Sequence, residues 1–220
     1  MNVRKELPLL CIVVLPFLYL AYIYADLPAT VPTHWNAAGE IDDWGSKEIL
    51  WIIPFATGFL GYVLLSIVPK IDPKKQIKLM GAKFYQLKFI FVLFLAALGL
   101  YILYATKQQS MSNPNILFIL IGVFFTALGN YLPSVKPNYF VGLRTPWTLE
   151  SATVWKRTHR LAGKLWVLGG IVVILASLLL PQPQNLVVFF VIIGIITLIP
   201  LVYSYIWYKQ EKTEINSSTM

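Results

Sequence analysis

The sequence predicts an all-α integral membrane protein: a six-helix transmembrane bundle with both termini cytoplasmic and a cytoplasmic amphipathic helix between helices 4 and 5. Three observations carry that expectation. Of the 220 residues, 57% are hydrophobic and only 13% are charged, and the mean hydropathy is +0.67, a balance foreign to soluble domains. Several apolar runs meet or approach the roughly 17 to 25 helical residues that a hydrocarbon core about 30 Å thick requires. Lys and Arg gather in alternate connections between those runs, as they do on the cytoplasmic side of membrane proteins.

The apolar runs lie near residues 7–24, 49–68, 89–105, 115–132, 165–180 and 186–207. The first follows Arg4 and Lys5 as a signal peptide would, but it is too long and no A-x-A site follows, so it reads as a retained helix. Pro16, Pro54 and Pro200 fall inside spans, where neighbouring helices can satisfy the freed carbonyls. The fifth run is short unless Lys164 snorkels to the headgroups. With the N-terminus inside, sixteen of the eighteen Lys and Arg residues fall on the cytoplasmic side and only Lys47 and Lys107 outside. The net charge of +8 therefore serves topology rather than direct nucleic-acid binding. The single cysteine, Cys11, sits in an apolar run, which excludes an intramolecular disulfide.

The first outer connection, ADLPATVPTHWNAAGEIDDWGSKE at 25–48, is acidic and carries Trp35 and Trp44. Pro28, Pro32, Gly39 and Gly45 read as a folded set of turns rather than helix or strand. The tryptophans fit an interfacial belt. The same stretch is also the sizeable polar surface on that face, so His34, Trp35, Asn36, Asp42 and Trp44 form a candidate outer contact. The basic 69–88 connection, partly helical after Pro73, reads as a lipid anchor. Within the spans the polar side chains are few, with Asn130 foremost, and Gly169-Gly170 marks close helix packing. The middles of the predicted spans contain no ionisable residue, which counts against ion-coupled transport. No metalloprotease, nucleophile-elbow, Walker or dinucleotide motif occurs, so no enzymatic activity, cofactor or metal is expected.

The longest polar interruption is Asn138–Lys164, NYFVGLRTPWTLESATVWKRTHRLAGK. Pro133 and Pro137 end the preceding helix, and Asn138 and Gly142 suit tight turns. The planar fork of Arg144 could tie helix-end carbonyls or hold lipid phosphate, and ranks behind these as a receiver of a partner carboxylate. Thr148 reads as an N-cap with Glu150 near the positive helix end. On a helical projection Val154, Trp155, Thr158, Leu161, Ala162 and Leu165 share one arc, and Lys156, Arg157, Arg160 and Lys164 share the other, with His159 at the border. Such a helix is expected to lie on the membrane surface before turning into the fifth span.

GNYLPSVKPNYFVGLRTPWTLESATVWKRTHRLAGKLWVLGG resembles the signature of the SdpI family of bacterial membrane proteins. Its N-x(3)-G-x-R-x(10)-W pattern falls on Asn138, Gly142, Arg144 and Trp155, with Thr145, Pro146, Trp147, Thr148, Thr158, His159 and Arg160 also fitting. Upstream, LPATVPTHWNAAGEIDDWGSK resembles the small domain of unknown function that commonly precedes that module. The resemblance divides the chain into an N-terminal membrane region, 1–70, and an SdpI-like module of four helices, 71–220. It implies bacterial immunity and signalling: resistance to an exported toxic peptide met on the outer side, and capture of an ArsR-type repressor by the cytoplasmic surface around Asn138, Gly142, Arg144, Thr145, Pro146, Trp147, Trp155, His159 and Arg160. Membrane lipid is the remaining partner. The alternative from another class is a small passive transporter or pore for lipid or peptide.

Overall fold

The structure, a computed structural model, describes residues 3–36, 38–73, 75–111 and 113–218, and side chains only between Glu6 and Ser217. Lys74 and the side chains of Arg4 and Lys5, which enter the charge count above, lie outside the described residues. In hydrocarbon every backbone N–H and C=O must be satisfied within the segment, so long apolar runs become helices. Among the described residues six helices are long and apolar enough to cross a membrane. They are α1 (Val3–Ile23), α2 (Lys47–Ile71), α4 (Ala82–Gln108), α5 (Asn115–Tyr131), α7 (Ala152–Leu179) and α8 (Gln184–Ser218). Two short helices, α3 (Gln76–Met80) and α6 (Pro146–Glu150), sit in connections. The large apolar side chains left exposed, among them Leu168, Leu179, Val187, Phe190 and Leu198, face outward as a lipid-contacting surface should.

The connection after α1 is not a set of turns. It is an antiparallel hairpin of β1 (Thr30–Trp35) and β2 (Ile41–Ser46). β-branched Thr30, Val31 and Thr33 with Trp35 favour extended backbone. Asn36 closes the tip: its Oδ1 accepts the N–H of Ala38 at 2.9 Å and of Glu40 at 3.0 Å, and Gly39 takes φ +83. Pro32 donates nothing to the ladder, which a two-stranded sheet tolerates because each strand has a free edge. Val31 is buried against Leu20, Ile23, Leu27, Leu50 and Leu103, seating the hairpin on one end of α1, α2 and α4.

α1, α2 and α4 pack together, as do α5, α7 and α8, and Phe124 joins the groups by stacking on Phe94 with centroids 4.1 Å apart. The α5–α7 seam is lined with glycine. A Cβ on Gly129 would come 2.8 Å from the Gly163 carbonyl, and one on Gly163 2.7 Å from that of Gly129, so the backbones touch where larger residues would separate them. Gly169 and Gly170 mark close packing as expected: Gly170 faces Gly122 and Thr126 on α5, and Gly169 faces Ile192 and Ile196 on α8. At the hairpin end Asn115 gathers three connections, donating to the Ser177 carbonyl at 2.9 Å and accepting from Gln182 at 3.1 Å and Asn185 at 3.0 Å.

Two further expectations change. The amphipathic stretch and the fifth span are one helix, α7, with no turn between them. Its buried stripe of Val154, Trp155, Thr158, His159 and Ala162 continues in step through Gly169, Gly170, Val173 and Ala176, and nothing in the sequence interrupts it. Lys88, counted above among the cations of a connection, lies inside α4 and is only 4% exposed. Its Nζ stands 2.7 Å from Glu6 Oε2 of α1 and 4.0 Å from the centroid of the Tyr62 ring of α2, and Tyr62 Oη donates to the same carboxylate at 3.0 Å. A buried cation is tolerated only when paired in this way.

Candidate functional site

The residues singled out between Asn138 and Arg160 converge on one construction at the end of the bundle opposite the hairpin. Asn138 is buried and spends its whole amide on the turn. Its Oδ1 accepts from the N–H of Phe140 at 2.8 Å and Val141 at 2.7 Å, while Nδ2 donates to the carbonyls of Lys136 at 2.7 Å and Val141 at 3.1 Å. The chain then turns at Gly142, whose φ of +105 is a glycine conformation. The guanidinium of Arg144 donates to the Tyr139 carbonyl, so of its expected uses the structure supplies a carbonyl, in the turn rather than at a helix end.

Thr145, not Thr148, caps α6. Thr145 Oγ1 accepts from the Thr148 N–H at 3.2 Å, and Thr148 Oγ1 accepts from the Thr145 N–H at 2.8 Å, a reciprocal capping box with Pro146 at the first helical position. Ser151 then caps α7 by accepting from Val154 N–H at 3.1 Å. The Trp147 indole N–H donates to Ser204 Oγ of α8, and its ring meets Tyr205 at 5.3 Å. Glu150, at the end of α6, accepts from Tyr208 and pairs with Lys212 at 2.9 Å, contacts that hold its carboxyl below the usual carboxylate range, the Tyr208 hydrogen bond most strongly.

Trp155 and His159 are interior. Trp155 is 2% exposed and donates its indole N–H to the Val135 carbonyl at 2.8 Å; a buried indole needs such an acceptor. His159, which the helical projection set at the border of the two arcs, is 1% exposed and stacked on Trp155 with centroids 4.1 Å apart. Its Nε2 lies 3.1 Å from the Leu143 N–H, which can only donate, so Nε2 accepts and Nδ1 carries the proton that it donates to the Trp155 carbonyl at 2.9 Å. Both nitrogens are committed to backbone, which leaves none for proton transfer to a substrate. Pro146, Arg144 and Arg160 remain exposed. The projection could not place His159 correctly because the 138–145 turn, folding over that edge of α7, is invisible to a lone helix. Ser151, the Val135 carbonyl and the Leu143 N–H escaped the sequence reading because they act through a cap and backbone atoms.

At the opposite end, the outer-contact residues fall on the hairpin. His34 Nδ1 meets Asp42 Oδ1 across the strands, and Asn36 Nδ2 also donates to Glu40 at 2.9 Å. Trp44 is 49% exposed, whereas Trp35 is partly covered.

The SdpI/YfhL protein family model matches residues 134–204, the stretch holding this construction and the α8 residues it grips. Residues 11–58, which include the hairpin, match a domain of unknown function, DUF1648. Across both segments, the chain is 27% identical over 209 residues to the Immunity protein SdpI of Bacillus subtilis (strain 168), covering 94% of this chain and 97% of that protein. An uncharacterized protein of Archaeoglobus fulgidus is 42% identical over 55 residues, 25% of this chain and 30% of its own. No solved structure matches. Similar to SdpI over most of its length and built on six helices long enough to span a bilayer, the chain is a multi-pass cell-membrane protein.

Proposed function

We propose that this protein is a non-enzymatic immunity protein that protects a bacterial cell against an exported, membrane-active peptide, and that it signals by holding an ArsR-type repressor at the membrane. The observation that carries the reading is the 27% identity to Immunity protein SdpI, spread over 94% of the chain rather than confined to one motif. The positive-residue count supports a hairpin facing outward and the Asn138–Arg160 construction facing the cytoplasm. In that orientation the acidic hairpin, with Trp44 projecting, meets the peptide, and the exposed Arg144 and Pro146 offer the inner contact. Asn138, Thr145, Trp155 and His159 hold that surface in shape rather than form it. Signal transfer requires the peptide to favour one arrangement of the bundle over another, since equal affinity for both shifts nothing.

The test is expression in a toxin-sensitive host, with the protein verified in the membrane fraction and reporter fusions placed at the hairpin and at the 138–145 turn. Protection by the wild type, with the hairpin reporter outside, is expected. A membrane-resident protein that gives no protection against any cognate peptide overturns the immunity reading. Failure of an ArsR-type repressor to co-fractionate with these membranes removes the signalling half alone.

A further inference from the structure

Between the first turns of α7 and the far end of α8 lies an open groove of about 790 Å³. Lys156, Arg157, Arg160 and Lys164 line it from α7, with Leu161 beside them, and Trp207 of α8 forms the facing wall. No acidic residue lines it, and none of the four cations makes a hydrogen bond or ion pair among the described residues. Four positive side chains held together with no acidic partner constitute an anion site.

The depth of the groove identifies the anion. α7 has 28 residues, about 42 Å of helix, against a hydrocarbon core of about 30 Å. Counted back from Leu179, the core ends near Arg160. Lys156 and Arg157 therefore stand in the headgroup layer, and Arg160 and Lys164 reach it by extending their methylenes along the helix. Trp207 is the residue type that sits at that level, and Leu161 offers apolar surface beside the charges. Arginine forks match phosphate oxygens in pairs, and lysines add point charge. A soluble acidic protein would have to reach cations that lie at the level of the bilayer, whereas a lipid phosphate is already there.

We infer that the groove between α7 and α8 binds the phosphate headgroup of an anionic phospholipid from the leaflet it faces. The lipid would bridge α7, the helix that supports the 138–145 turn, to the last helix, at an end where α8 is also tied to α6 through Trp147 and Glu150. This site does not depend on the immunity reading and would exist in a protein with no toxin to resist.

The experiment is native mass spectrometry of the full chain in neutral detergent, titrated with phosphatidylglycerol or phosphatidylcholine. Phosphatidylglycerol is expected to be retained roughly tenfold more tightly, and Lys156→Gln/Arg157→Gln/Arg160→Gln/Lys164→Gln to lose that preference. The control Lys107→Gln/Lys136→Gln, which removes as much charge away from the groove as the pair Arg157→Gln/Arg160→Gln, is expected to keep it. Equal retention of phosphatidylcholine, an unaffected groove variant, or an equal loss in the control overturns the proposal. Displacement of the lipid by millimolar inorganic phosphate would make this a site for free anions, and capture of a poly-glutamate peptide in place of lipid would make it a protein contact; either result also overturns it. Should the quadruple variant elute as aggregate, Arg157→Gln/Arg160→Gln decides by the same comparison.

Discussion

Nε2 of His159 occupies the space that a side chain on Gly142 would fill, so the turn and α7 fit only because position 142 has no Cβ. The backbone there is also left-handed, at φ +105. Gly142→Ala combines a collision with a conformation that L residues avoid, and about 1–3 kcal/mol is the expected cost. Gly81 provides the control, since its φ is +53 but nothing lies within 4 Å of an added Cβ. Thermal unfolding in detergent should rank Gly142→Ala well below Gly81→Ala; equal melting temperatures would remove the tight fit from the account.

Replacing His159 by Ala leaves the Leu143 N–H and the Trp155 carbonyl without their ring partner. An orphaned buried donor costs about 1–3 kcal/mol. The expected result is lowered stability together with faster proteolysis at 138–145, because the ring is what ties that turn to α7. A variant that melts like the wild type yet loses protection would point to chemistry at the imidazole rather than to its scaffolding role.

The Glu6–Lys88 pair behaves differently under single and double substitution. Lys88→Met strands the Glu6 carboxylate in a site where the two side chains are 13% and 5% exposed, and breaking such a pair from one side costs about 3–5 kcal/mol. Glu6→Leu/Lys88→Met removes both charges and should recover most of that loss. A double-mutant cycle on detergent melting temperatures measures the coupling, and additive losses would show that the pair contributes no interaction of its own.

These relationships explain which parts of the molecule were legible in the sequence. The spans were, because lipid imposes one rule on every residue of a run, and six separate apolar segments obey it. The helix starts were less so: α4 begins at Ala82 and α7 at Ala152, well before the apolar runs near 89 and 165, because Lys83, Lys88 and the Lys156–Lys164 cations ride on helices that outlast the hydrocarbon. The hairpin was hidden by Pro32, Gly39 and Gly45, read as breakers although an edge strand and a tip accommodate them; the β-branched Thr30, Val31 and Thr33 were the usable signal. Asn138, Gly142, Thr145, Trp155 and His159 were found as a motif, but the partners of Asn138, Trp155 and His159 are backbone atoms up to 20 residues away, which no spacing encodes. Glu6 and Lys88, 82 positions apart, left no local trace at all.

Glu150 fastens the short α6 helix to the extension of α8 through Tyr208 and Lys212, and that tie is pH-dependent in a defined direction. The hydrogen bond from Tyr208, and then Lys212, holds the carboxyl below its ordinary value. A depressed folded-state value means that the contact contributes fully above the unfolded carboxylate range and is lost as pH falls through the lowered value. At neutral pH the tie is complete, and acidification below the usual carboxylate range releases the end of α8. Because the Glu150 and Lys212 side chains are more than half exposed, at 53% and 54%, the effect is local rather than a change in global stability. Proteolysis within 208–217 should therefore be slow and constant from neutral to mildly acidic pH and accelerate below it. Glu150→Gln should be cut at the fast rate at every pH, and a wild-type profile in that variant would show that α8 is held at this end by Trp147 and Ser204 without help from the carboxylate.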